Sequence, residues 1–165
     1  MKHIFSLTIA VIFLLTSCQK TEVSSNTETE KDLPNFTYDS IAAAKYGADD
    51  YGMKKYVMAF LKRGDNQSLD SIKRVELQNE HLKNIGRMAE EGKLVLAGPF
   101  MDDGDLRGIY IFNVETIEEA EALTNTDPSI QQGVLSMELK EWYGSAAVMA
   151  INDIHNTLSK ESIVE

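Results

Sequence analysis

Residues 94–119, "LVLAGPFMDDGDLRGIYIFNVETIEE", carry two short apolar runs, a turn between them and a helix start. Leu94 to Ala97 is a short apolar run stopped by Gly98-Pro99, and Gly108 to Val114 is a second run of branched and aromatic residues. Runs of this length and composition, bounded by Gly, Pro and Asp, read as strands. Between them Asp102, Asp103, Gly104 and Asp105 supply turn chemistry, so the two strands form a hairpin. Immediately afterwards comes Thr116-Ile117-Glu118-Glu119, a capping box: the Thr116 side chain accepts from the Glu119 backbone amide while the Glu119 carboxylate reaches back. The centre of the chain therefore reads strand, turn, strand, helix.

Residues 68–91 change period. Ile72, Val75, Leu82, Ile85 and Met88 recur at helical spacing after a Ser/Asp-rich start, and Gly92 stands in a favourable terminating position. Upstream, "KKYVMAFLKR" (54–63) alternates Tyr56, Met58 and Phe60 against Val57, Ala59 and Leu61; with both faces apolar it predicts a central strand covered on both sides. Downstream the second helix runs to about Thr124, Asp127-Pro128 interrupts it, and Gly133 marks a turn. "VLSMELKEW" (134–142) then alternates as a half-buried strand. The order βαββαβ predicts an α+β, ferredoxin-like fold in which two helices cover one face of a four-stranded antiparallel sheet. Because the strands at 56–61 and 109–114 are apolar on both sides, the other face also needs a cover. Either a second subunit or the C-terminal segment can supply it; Ala147, Ile151, Ile154 and Leu158 give that segment a helical stripe of its own.

The 165 residues, 43% apolar and 25% charged, suit one globular domain. A formal net charge of −10 offers no basic surface to displace counterions from phosphates, so no nucleic-acid partner is expected. The single cysteine, Cys18, excludes an intrachain disulfide and a cysteine-based zinc cluster. Its context assigns it another job. "MKHIFSLTIAVIFLLTSC" has an early Lys, an apolar run from Ile4 to Leu15 that is too short to span a bilayer, and small polar residues before the cysteine, the pattern of a secretion signal. Leu15-Thr16-Ser17-Cys18 resembles the bacterial lipobox, which implies cleavage before Cys18, lipidation of its thiol and acylation, with palmitate for example, of the new amino group. Several acyl chains on one residue suffice for stable anchoring. The sequence thus divides into a signal peptide (1–17), a lipidated Cys18 with a polar tether (18–52) that carries a short helical turn at "SIAAAKYG", a folded domain (53–143) and a helical tail (144–165). Its expected location is the bacterial cell envelope, membrane-anchored outside the cytoplasm.

A longer pattern joins these elements. His81 in the first helix, Glu91-Gly92-Lys93-Leu94 leading into Ala97-Gly98-Pro99, the acidic loop with Gly104 and Gly108, Glu118-Glu119-Ala120, and Asp127-Pro128 followed by Gly133 together resemble the YCII-related family over residues 54–142. The resemblance implies a dimeric α/β barrel, in which two ferredoxin-like units press their open sheet faces together. It also implies a His and Asp active-site pair and chemistry that needs no metal or organic cofactor. Carried over, it puts His81, Asp127 and one of Asp102 or Asp103 at the candidate site. His81 shares the sheet-facing side of its helix with Leu77 and Ile85, where a half-buried imidazole needs a partner.

Two functions fit. One is an enzyme of lyase or isomerase type that uses a His–Asp pair for proton transfer on a small polar cyclic substrate. The other is a non-catalytic module that binds a small molecule or serves the envelope. A homodimer is expected in either case from the open sheet face, and a small-molecule ligand is the expected partner.

Overall fold

The alternation from Tyr56 to Leu61 becomes β1 (Met53–Arg63), an inner strand of a four-stranded sheet in this computed structural model, which describes residues 36–161. On one side β1 pairs antiparallel with β3 (Leu106–Phe112), and on the other with β4 (Leu135–Ser145); β2 (Leu94–Pro99) lies antiparallel to β3 at the edge. The strand order β2-β3-β1-β4, with α2 (Ser71–Glu90) between the first two strands and α3 (Ile117–Thr124) between the last two, is the ferredoxin-like α+β arrangement.

Register sorts the side chains. Val57, Ala59 and Leu61 share one face with Tyr110, Phe112 and Leu94, and pack with Met88 and Ala120 from the helices. Tyr56 and Ile111 lie on the other face with Val95. Gly108 is required by close approach: a Cβ there would stand 2.5 Å from the Gly98 carbonyl oxygen across the β2–β3 hairpin.

α2 begins where the Asp70 carboxylate accepts from the Lys73 amide at 2.8 Å and ends at Gly92, whose φ of 67° lets the Lys93 amide reach back to the Met88 carbonyl. Its buried stripe is Leu77, His81, Asn84 and Met88. This corrects the sequence expectation for the first turn, since Ile72 and Val75 are 82% and 62% exposed. At 3.6 residues per turn both lie roughly 150° round the helix from the centre of that stripe, although their mutual spacing is helical. The capping box of α3 forms as read, with the Thr116 hydroxyl and the Glu119 carboxylate each accepting from the other residue's amide.

Asp127-Pro128 does more than interrupt. Asp127 caps a one-turn helix, α4 (Pro128–Gln131), with its Oδ1 accepting from the Ser129 amide at 2.8 Å and proline at the first helical position.

Ahead of the sheet, α1 (Ser40–Tyr46) is capped by Asp39 and stops at Gly47. Beyond it a 3₁₀ helix (Ala146–Ala150) leads into α5 (Ile151–Leu158). This tail covers one end of the open face through Val148 and Met149, which pack on the cluster of Tyr56, Val95 and Ile111, and through Asn152, whose side-chain amide donates to the Leu94 carbonyl at 2.9 Å. Of the expected stripe only Ile151 is half-buried, while Ala147, Ile154 and Leu158 are exposed. At the other end of the same face Phe60 and Ile109 stay half-buried and Leu106 exposed. The proposed signal segment, Cys18 and residues 19–35 of the tether lie outside the described residues.

Candidate active site

Three elements converge on His81. α2 carries it on the buried stripe, the turn between α3 and α4 brings Asp127, and β3 brings Tyr110 on the helix-facing register. His81 Nδ1 lies 2.5 Å from Asp127 Oδ2, and Tyr110 Oη lies 3.2 Å from His81 Nε2. All three are out of water, with exposures of 7%, 1% and 2% for His81, Asp127 and Tyr110. The two rings stand 6.2 Å apart, centre to centre, 23° from parallel.

A carboxylate only accepts, so the hydrogen shared with Asp127 belongs to His81 Nδ1; in the neutral imidazole Nε2 is then the basic nitrogen and accepts from the Tyr110 hydroxyl. Burial, and secondarily the Asp127 charge, push the Tyr110 phenol above its ordinary range, which keeps it neutral and a donor. The second Asp127 oxygen is held by the Ser129 amide, and the Ser129 hydroxyl lies 3.4 Å from the Leu77 carbonyl one turn before His81. The carboxylate that orients the imidazole is thus held by the Ser129 backbone amide, and the Ser129 hydroxyl in turn faces α2. An imidazole with one nitrogen held by a carboxylate and the other turned to an O–H is the arrangement of an oriented general base.

Asp102 and Asp103 sit elsewhere. Both are exposed in the β2–β3 turn, where Asp102 Oδ1 accepts from the Gly104 amide and the Arg63 and Arg107 guanidinium groups tie down the backbone carbonyls of Asp103, Asp102 and Gly104. No hydrogen bond among the described residues links either aspartate to His81. His155 is exposed on α5. Among the described residues no three His, Cys, Asp or Glu side chains group as metal ligands.

Sequence reasoning missed Tyr110 and Asn84. The signal for Tyr110 was its alternation with Phe112, which turns a phenol toward the helices where a buried hydroxyl needs a partner. Asn84 stands one turn after His81 on the same stripe, its Oδ1 2.8 Å from Arg87 Nη2 and 3.0 Å from Thr126 Oγ1.

The YCII-related domain family matches residues 56–143, from within β1 to within β4. The chain belongs to that family. It is also 31% identical over 62 residues to the uncharacterized protein YjpA of Bacillus subtilis strain 168, an overlap of 38% of this chain and 71% of that one. Among solved structures it is similar to 5-chloro-2-hydroxyhydroquinone dehydrochlorinase (TftG) from Burkholderia phenoliruptrix AC1100, in complex with 2,5-dihydroxybenzoquinone. That match has 19% identity, covers 52% of this chain and 92% of the other, and gives a TM-score of 0.40.

Proposed function

We propose that this YCII-related domain is a cofactor-independent proton-transfer enzyme of lyase or isomerase type acting on a small polar cyclic substrate, carried by an envelope lipoprotein anchored through Cys18. The observation that supports it is the buried 2.5 Å contact between His81 and Asp127. In this reading His81 Nε2 removes a proton from a substrate O–H or C–H, and Asp127 stabilises the imidazolium formed. The electron pair left on the substrate either expels a leaving group, completing an elimination, or is reprotonated by the same imidazolium at another atom, completing an isomerisation. Because Tyr110 occupies Nε2 in this structure, the substrate hydroxyl takes the place of the tyrosine hydroxyl. The domain acts as a homodimer, for which the half-covered sheet face is the support.

The test is His81→Asn, which keeps approximate size and hydrogen bonding but removes proton transfer. In a screen of small phenols and cyclic acids, any turnover found should fall on the order of 10²- to 10⁴-fold. A variant as fast as wild type would remove His81 from the chemistry. One observation favours a second reading, a module that binds without turnover: both ring nitrogens of His81 are already engaged inside the protein. An ordered ligand against His81 with no turnover across the screen supports that reading.

A further inference from the structure

Asn84 and His81 are anchored alike. His81 gives Nδ1 to Asp127, and Asn84, one helical turn later, sets Oδ1 against the neighbouring Thr126. Each side chain therefore turns one polar atom to the loop before α4 and the other away from it. For His81 the second atom meets Tyr110. For Asn84 it is Nδ2, which is buried and finds no acceptor among the described residues. The amide orientation is fixed chemically: Arg87 Nη2, 2.8 Å from Oδ1, can only donate, so the atom facing it is the oxygen. A buried donor without an acceptor destabilises the fold, a cost that Leu at this position would avoid.

We propose that Asn84 is a substrate-positioning residue whose Nδ2 holds an anionic or carbonyl oxygen of a molecule whose hydroxyl meets His81 Nε2. The idea rests on the proton-transfer reading of His81 and deepens it. Side chains three apart on a helix face are roughly 5–6 Å apart at Cβ, close enough for one small ring with a hydroxyl and a neighbouring carboxylate or carbonyl to reach both. The Arg87 guanidinium polarises the amide through its oxygen and strengthens the N–H as a donor. Arg87 itself is held by both oxygens of Glu91, at 2.8 and 2.9 Å, so this polarising charge is fixed in place. The ligand class is a hydroxy-acid or hydroxy-carbonyl ring, with its O–H at His81 and its second oxygen at Asn84.

Binding tests this without any need for turnover. Salicylate carries both oxygens; phenol lacks the second. In ¹⁵N-labelled full domain, salicylate should shift the Asn84 side-chain amide resonances, identified by their absence from Asn84→Asp, and should bind at least tenfold more tightly than phenol. Asn84→Asp keeps the contacts to Arg87 and Thr126 but replaces the donor with an acceptor. It should weaken salicylate at least tenfold and leave phenol within twofold. Asn84→Leu, which removes the orphan donor, should show the same loss with a melting temperature equal to or above wild type, and it stands in if the Asp variant does not fold. Equal salicylate affinity in wild type and a folded variant, or no salicylate binding to wild type, overturns the proposal. Undiminished turnover in His81→Asn with the Asn84-dependent salicylate binding intact would instead overturn the base alone, so the two readings fail separately.

Discussion

His81 and Asp127, 46 positions apart in sequence, meet at 2.5 Å with neither side chain in water, and the aspartate that holds the imidazole also caps α4. Site and local fold therefore share one carboxylate. Asp127→Ala removes the acceptor of His81 Nδ1 and the helix cap together, and should cost about 3 kcal/mol, the sum of a buried hydrogen bond to a charged group and a cap. Asp127→Asn still caps the Ser129 amide and should cost about half as much. Urea denaturation of the two variants separates the roles; equal losses would mean that the cap contributes nothing.

Tyr110→Phe removes the hydroxyl that occupies His81 Nε2 but keeps the ring against Phe112, 5.7 Å centre to centre and nearly perpendicular. The variant should fold, lose about 1 kcal/mol of stability for one hydrogen bond, and keep turnover within tenfold of wild type, because a substrate hydroxyl replaces the tyrosine. A loss beyond a hundredfold would show that Tyr110 itself passes the proton.

On α2 the buried stripe runs from Leu77 to Met88, while Ile72 and Val75 face solvent. Converting both exposed residues to Lys should change stability by less than about 0.5 kcal/mol, whereas Leu77→Ala should cost about 2–5 kcal/mol. Melting curves of the two variants decide it, and a large loss in the double Lys variant would show that the first turn is covered by a partner. The same helix shows how far sequence reading reaches. The capping box and the strand alternation were legible because each is a short-range rule with a fixed spacing. Ile72 misled because helical spacing says which residues share a face, not which face the sheet takes. His81 and Asp127 were put at one site, with Asp102 or Asp103 beside them, by the family resemblance; a helix face and a turn alone do not bring them together, because their meeting depends on how α3 and α4 pack beside α2. Tyr110 carried only a strand signal, and the four-residue α4 is too short to show a period.

Cys18 lies outside the described residues, and the lipoprotein reading rests on the sequence around it. Only its thiol can take a diacylglyceryl group, so Cys18→Ser should lose lipid attachment and leave a soluble or unprocessed precursor. Metabolic labelling with a radiolabelled fatty acid checks this; undiminished label on the serine variant would refute anchoring at that residue.

The tail leaves one end of the open sheet face uncovered. There Phe60 pairs across the strands with Ile109 on one side and Glu138 on the other, and Glu138 is bonded to Lys140 and Lys62. The half-buried apolar pair and its rim of paired charges suit the same patch on a second copy, where the apolar centre would be removed from water at ~25 cal/mol per Å². Ile109→Asp distinguishes this from a monomer. In a single chain the half-exposed position lets the carboxylate reach water, so stability should fall only by about 1 kcal/mol. In a dimer the same charge would be buried without a partner, at a cost of several kcal/mol. Wild type should therefore sediment as a dimer at concentrations where Ile109→Asp sediments as a folded monomer. A monomeric wild type under those conditions, with Phe60 and Ile109 in water, would end the homodimer proposal.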